Sequence, residues 1–126
     1  MDDTRLMDPA VLAYLESQRL GRLATVDRDG APQNSPVGFW INHDLGTIEI
    51  GGWNLTKSRK FRNLAHNDRV AFVVDDIASV TPWRVRMVEI RGRGEQVIDV
   101  PVPRSGMDAA LIRVHPARVI AYGIGD

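Results

Sequence analysis

Apolar residues recur along this chain at two periods, and the switches between them outline the elements. Val11, Leu12 and Leu15 fall on the i, i+1, i+4 stripe of a helix. Asp8 stands where a side chain caps the N-terminus, and Pro9 occupies the first helical position, where a missing N–H costs nothing. The helix is predicted to end near Gln18. From Arg22 to Val26 the pattern turns β-like, and Asp29-Gly30 tolerates the left-handed backbone of a tight hairpin into a strand over Gln33 to Ile41. A second turn at His43-Asp44-Leu45-Gly46 leads into Thr47-Ile48-Glu49-Ile50, whose alternation is strict. These three strands are expected to form a meander.

After Gly51-Gly52, Thr56 to Asn67 reads as a short helix with Phe61, Leu64 and Ala65 on one face. Val70 to Val74 is a continuous apolar run, short enough for a strand buried on both sides. Asp75 to Trp83 is expected to be a connection, and Val85 to Val97 a long strand with a bend or bulge at Gly92 and Gly94. Pro101 and Pro103 break the sheet. Leu111 to His115 and Val119 to Tyr122 follow as strands, with Pro116 forcing a turn between them. Six or seven strands in antiparallel succession, two helices and no βαβ alternation argue for a mainly β barrel, because closure removes the edges of a small sheet.

Composition narrows the function classes. A chain of 126 residues with 44% apolar and 25% charged residues is expected to be one domain spanning 1–126, with a core small enough that oligomerisation would help it. Its 16 basic and 16 acidic residues cancel, so the overall field favours neither nucleic acid nor a membrane surface. Cysteine is absent, which removes disulfides, thiolate metal sites and cysteine nucleophiles together. The N-terminal Met1-Asp2-Asp3-Thr4-Arg5 lacks the basic and apolar regions of a secretory signal, so the protein is expected in the cytoplasm, unanchored.

The most informative stretch runs from Gly51 to Asn63. Lys57, Arg59, Lys60 and Arg62, with Thr56 and Ser58, crowd the opening of a helix just after a glycine pair. Free N–H groups, the helix dipole and mobile cations together suit a phosphate; the same charges also suit a solvated basic face. Ser35-Pro36-Val37-Gly38 is the second candidate, since Pro36 removes a ladder donor and belongs at an edge, where free backbone groups can meet a planar heterocycle or simply form an irregular edge strand. His43, His66 and His115 complete no metal site with Asp75-Asp76, so no metal is expected and the two aspartates are assigned to a loop. Nothing marks a catalytic residue or a nucleophile–base arrangement. Trp83-Arg84 is placed to clamp a ligand or to pack a subunit seam.

Taken together, Leu23-Ala24-Thr25-Val26-Asp27, Asp29-Gly30-Ala31-Pro32-Gln33, Ser35-Pro36-Val37 and Lys60-Phe61-Arg62-Asn63-Leu64 with Asp68-Arg69-Val70-Ala71 resemble the pyridoxamine 5'-phosphate oxidase-like, FMN-binding-type split β-barrels. Val74-Asp75-Asp76, Ala78-Ser79-Val80, Pro82-Trp83-Arg84, Glu89-Ile90-Arg91-Gly92-Arg93 and Arg113-Val114-His115-Pro116 with Tyr122-Gly123 are similar to the actinobacterial subgroup that uses the deazaflavin F420. The resemblance spans roughly residues 10 to 124. It implies a homodimer holding the cofactor between subunits, with its phosphate on Lys60, Lys57 and Arg62. Ser35, Pro36, Val37 and Gly38 would lie along the ring, and Gly51 and Gly52 would let the tail pass. Trp83 and Arg84 would reach in from the partner.

The implied activity is hydride transfer from reduced F420 to an electron-poor conjugated double bond of a small molecule, with the cofactor carrying the chemistry. Water, Tyr122 or Arg84 would supply the proton. An FMN-dependent oxidase or reductase and a non-catalytic F420 carrier are the alternatives. F420 ends in glutamates, so a basic path over Arg5, Arg19 and Arg22 leading from Lys60 would favour it over FMN. The C-terminal Arg and His pattern of true pyridoxamine phosphate oxidases is missing, so vitamin B6 oxidation is not implied.

Overall fold

The computed structural model describes residues 2–102 and 104–125, so Pro103 lies outside the described residues. Along the chain these form β1 (Asp2–Thr4), α1 (Pro9–Ser17), β2 (Leu20–Val26), β3 (Pro32–Gly38), β4 (Trp40–Asn42), β5 (Thr47–Ile50), a 3-10 turn (Leu55–Lys57), α2 (Arg59–Asn63), β6 (Arg69–Ser79), β7 (Arg84–Ile98) and β8 (Ala110–Tyr122). The strands form one antiparallel sheet in the order β3-β2-β6-β7-β8-β5-β4, with β1 paired to β8. The Gln33–Ile41 segment, expected as one strand, breaks at Phe39 into β3 and β4, which stand at opposite ends of that order. The bend joins the two ends covalently and rolls the sheet into a split barrel. Phe39 turns inward there and meets Phe72 edge to face, with ring centroids 5.2 Å apart.

The barrel interior is filled from alternate positions, with Leu23, Ile48, Ile50, Phe72, Val74, Val88, Ile90, Ile112 and Val114 all fully buried. The capping residues of α1 behave as their chemistry requires: the Asp8 carboxylate accepts from the Ala10 and Val11 N–H groups, and Val11, Tyr14 and Leu15 turn into the core. At the opposite end of the β6–β7 ribbon Leu64 packs beside Gly94, while Phe61 O accepts from Gln96 Nε2 at 2.8 Å. The two helices therefore plug opposite mouths. Among the described residues no helix is long and apolar enough to cross a membrane.

Several expectations change. The helix predicted over Thr56–Asn67 shrinks to α2, and Asn63 rather than Ala65 joins Phe61 and Leu64 in the interior. Asp75 and Asp76 belong to β6, which runs on to Ser79, because arginines on neighbouring strands balance them: Arg22 pairs with Asp75 and Arg86 with Asp76. Val70 to Val74 is buried on one face only, with Ala71 and Val73 half-buried on the other. Pro116 makes no turn. It sits inside β8, where the register with β7 slips between Arg91 and Gly92. A Cβ on Gly92 would lie 2.0 Å from the His115 carbonyl, so this bulge needs glycine opposite proline.

The strict alternation of Thr47–Ile50 does not mark an exposed face, since all four residues of β5 are buried. Glu49, 2% exposed, is covered by Arg113, whose Nε donates to Oε2 at 3.0 Å and Nη2 to Oε1 at 3.1 Å, and by the Asn42 amide. A buried carboxylate is tolerable because these charge-assisted bonds replace its water.

Candidate functional site

β3 is hydrogen-bonded to β2 and stands at one end of the strand order, as Pro36 requires. Its residues divide by parity. Pro36 and Gly38 are exposed, Ser35 is half-buried, and the Val37 side chain is in the core, leaving only its backbone for a ligand. A Cβ on Gly38 would meet nothing closer than the Arg19 carbonyl at 4.0 Å.

One buried amide ties this strand to α2. Asn63 Nδ2 donates to Thr25 Oγ1 at 3.0 Å on β2 and to Gln33 Oε1 at 3.2 Å on β3, and Gln33 Nε2 in turn donates to Ser35 Oγ at 3.2 Å. The network fixes the basic helix against the strand that carries Ser35-Pro36, so two segments picked out separately in sequence share one end of the barrel. Asn63, Thr25 and Gln33 carry no local signal of this role, because the bonds join residues at least 30 positions apart.

The glycine-rich loop differs from expectation. The Asn54 and Thr56 N–H groups, part of the presumed phosphate cradle, donate to the Asp108 carboxylate at 3.0 and 3.1 Å. That acid neutralises the cradle from within the chain, leaving side-chain cations as the anion donors. Gly51 is explained by packing: a Cβ there would lie 3.1 Å from the Trp40 ring and 3.3 Å from Met107 Sδ. Gly52 is under no such demand, its nearest neighbour standing 3.7 Å away on Leu55.

Lys57, Lys60 and Arg62 form no ion pair among the described residues, in contrast to the strand arginines Arg22, Arg86, Arg91, Arg113 and Arg118. They do not act as one group. At about 100° of arc per residue, Lys60 and Arg62 point about 160° apart around α2, whereas Arg59 and Arg62 share a side. Arg59 and Arg62 line a concavity of ≈ 360 Å³ with Arg28, His66, Asn63, Asp27 and Asp29; Lys60 does not. The arginine path from Lys60 also fails to assemble. Arg22 is paired with Asp75, and Arg5 and Arg19 flank the two ends of α1, about 14 Å of helix apart.

Trp83 and Arg84 lie at the other mouth. They line a cleft of ≈ 860 Å³ with Tyr122, Tyr14, Arg86, Ala10, Ala13 and the 123–125 segment, so both candidate proton donors, Arg84 and Tyr122, share one space. Trp83 is 64% and Tyr122 50% exposed, leaving both rings free to stack. Behind them Tyr14 donates to Asp76 Oδ1 at 3.0 Å, Arg86 holds the same carboxylate through Nε at 2.9 Å, and the guanidinium lies 5.1 Å over the Tyr14 ring. Burial first, and then donation to Asp76, raise the Tyr14 pKa, so its phenol stays protonated and serves as a strut. The Arg86 bond holds Asp76 below the ordinary carboxylate range. β6, 11 residues long, separates this cleft from α2 by about 33 Å of strand. Within one protomer, Trp83 and Arg84 do not join α2, and Ser35, level with Phe72, lies between the two.

Among the described residues no three His, Cys, Asp or Glu side chains cluster to hold a metal. The pyridoxamine 5'-phosphate oxidase family model matches residues 7–121. The chain belongs to this family. Over 122 residues it is 46% identical to a 5a,11a-dehydrotetracycline/5a,11a-dehydrooxytetracycline reductase of Streptomyces rimosus, covering 91% of this chain and 82% of that protein. Its fold matches a conserved hypothetical protein of Mycobacterium tuberculosis with a TM-score of 0.71 at 21% identity, covering 90% of this chain and 82% of the other. The FAD-binding protein of Mycobacterium smegmatis superposes with a TM-score of 0.66 at 22% identity, over 88% and 89% of the two chains. An oxidase family and a reductase relative at this identity support the oxidoreductase class for this member.

Proposed function

We propose that this protein is an F420-dependent reductase that works as a homodimer, with the coenzyme seated between β3 and α2 of one subunit and the Trp83–Arg84 hairpin of the other. The observation that carries the reading is the Asn63 bridge, which sets the exposed edge of β3 beside cations that form no ion pair among the described residues. An unneutralised cation beside an open strand edge suits a ligand with a flat ring and an attached phosphate. The strand register supports the dimer, since Ser35 lies level with Phe72, about 23 Å of β6 from Ser79, and a flat ring that touches both Ser35 and Trp83 needs a second subunit. The family and the 46% identical reductase support redox chemistry.

Bound there, F420 would supply a hydride to an electron-poor double bond. The chain's own residues hold and orient: Lys60 and Lys57 grip the phosphate, the Ser35–Gly38 backbone lies along the ring, and Trp83 and Tyr122 cover the substrate and exclude water. Arg84 or Tyr122 stands where a proton is needed for the reduced product. By analogy with the Streptomyces rimosus relative, the substrate is a flat polycyclic enone.

Titration of the purified protein with F420 and with FMN tests the cofactor, and turnover of 5a,11a-dehydrotetracycline with reduced F420 tests the reaction. Preference for F420 with turnover supports the proposal. Preference for FMN makes the protein an FMN-dependent oxidase or reductase, F420 binding without turnover of any enone makes it a carrier, and a monomeric mass in light scattering removes the shared site.

A further inference from the structure

We propose that the cleft at the α1 mouth selects a substrate that is both flat and anionic, and that Arg84 is the specificity-determining cation that anchors it. The inference deepens the reductase reading above by naming its substrate class, a polycyclic enone that carries an ionised acid group. It does not depend on which coenzyme supplies the hydride.

Charge points to the anion. Among the described residues the cleft is lined by two arginines and by no aspartate or glutamate. Arg86 is already spent, because its guanidinium gives two bonds to the Asp76 carboxylate, which also accepts from Tyr14. Those three bonds leave Asp76 no capacity to neutralise a second cation. Arg84, two residues earlier on β7, forms no ion pair among the described residues. It is therefore the one arginine of this cleft whose charge is open to a ligand.

Shape points to the flat ring. Ala10, Ala13 and Ser17 recur along one side of α1 and give the cleft a floor of short side chains, while the exposed rings of Trp83 and Tyr122 border the same space. Gly123, at φ +72°, lets the chain pass tightly under β7: a Cβ there would lie 2.2 Å from the Val85 carbonyl oxygen. The 123–125 segment is thereby held against the strand and closes one side of the cleft. The volume of ≈ 860 Å³ suits a molecule of several fused rings.

Chemistry fixes the role of Arg84. A guanidinium donates hydrogen bonds from a planar fork and does not give up its proton, so Arg84 grips an oxyanion and leaves protonation of the product to Tyr122 or water. The bonds among Tyr14, Asp76 and Arg86 brace the paired strands β6 and β7 on which Arg84 is carried, so the cation is presented from a fixed ribbon.

The test is calorimetric titration of the full chain, with and without oxidised F420, using anthraquinone-2-carboxylate and its neutral carboxamide as probes. They share one flat ring system and differ in charge. Wild type is expected to bind the carboxylate about tenfold more tightly, the size of one charge-assisted contact. Arg84→Gln should bind the two probes equally, with its affinity for the carboxamide unchanged. Arg84→Lys should retain part of the preference, a rescue that a merely structural role would not give. Trp83→Ala should weaken both probes by the same factor. A circular dichroism spectrum identical to wild type keeps a folding defect out of each comparison. Equal binding of both probes by the wild type, binding of neither, or a preference surviving in Arg84→Gln overturns the anion anchor and leaves the F420 reading standing. Failure of F420 to bind, with the Arg84-dependent preference intact, overturns the coenzyme reading and leaves the anchor.

Discussion

The two mouths of the barrel are built from similar parts and use charge in opposite ways. At the α1 mouth, Arg86, Asp76 and Tyr14 satisfy one another: two bonds from the guanidinium and one from the phenol leave the carboxylate saturated. At the α2 mouth a neutral amide network does the structural work, and the cations above it form no ion pair among the described residues. A charge paired within the chain holds the fold, whereas one left unpaired beside a concave surface is available to a ligand. The contrast teaches where to look: basic residues on the strands are mostly neutralised, and the candidate ligand-binding cations sit on the short helix.

Substitutions at the two mouths should separate stability from binding. The largest expected effect is Leu15→Ala in α1, where a fully buried side chain is lost. It should cost about 2–5 kcal/mol in urea unfolding, with cofactor affinity of the folded fraction unchanged. Lys60→Ala at the other mouth should do the reverse, weakening cofactor binding by about 1.5–3 kcal/mol in calorimetry while stability moves by less than about 0.5 kcal/mol. An unchanged dissociation constant would remove Lys60 from the site.

Asn63→Ala is expected to blur the comparison, because Asn63 is both buried and the strut of the cationic helix. About 1–2 kcal/mol of stability and a measurable part of cofactor affinity should be lost together. If stability falls with affinity intact, the amide supports the fold alone.

The smallest effect is in acid. Asp76, through its bond from Arg86, and Glu95, through its bond with His115, have folded pKa values below their ordinary values of 3.8 and 4.5. The stability they contribute is complete above those ordinary values and drains as pH falls through the lower folded ones. Wild type should therefore show a lower urea midpoint at about pH 3 than at about pH 5, and Asp76→Asn should narrow that gap. A gap of the same width in the variant would show that Asp76 is not part of the acid response.

Much of the architecture is legible along the chain. The Asp8 cap, Pro9, the Asp29-Gly30 hairpin and the bulge at Gly92 are local events governed by the conformational limits of single residues, and each appears where its residue type requires. The misreadings share one cause, compensation by distant partners. Asp75 and Asp76 look like loop residues until Arg22 and Arg86 are set beside them. Glu49 looks solvent-facing until Arg113 covers it. The phosphate cradle after Gly52 looks open until Asp108 closes it from 52 residues away.

The candidate site divides in the same way. Ser35, Pro36, Lys57 and Lys60 could be selected from sequence because an edge proline and a run of cations are visible in themselves. Arg28 and His66, which line the concavity beside α2, carry no such signal, because neither belongs to a motif and they meet across 38 residues of chain. Local residue chemistry alone determined most of the antiparallel elements and the caps, since these depend on neighbours in the chain. Only the tertiary structure decided which charges are spent on the fold and which remain for a ligand, because that depends on pairings between strands brought together by barrel closure.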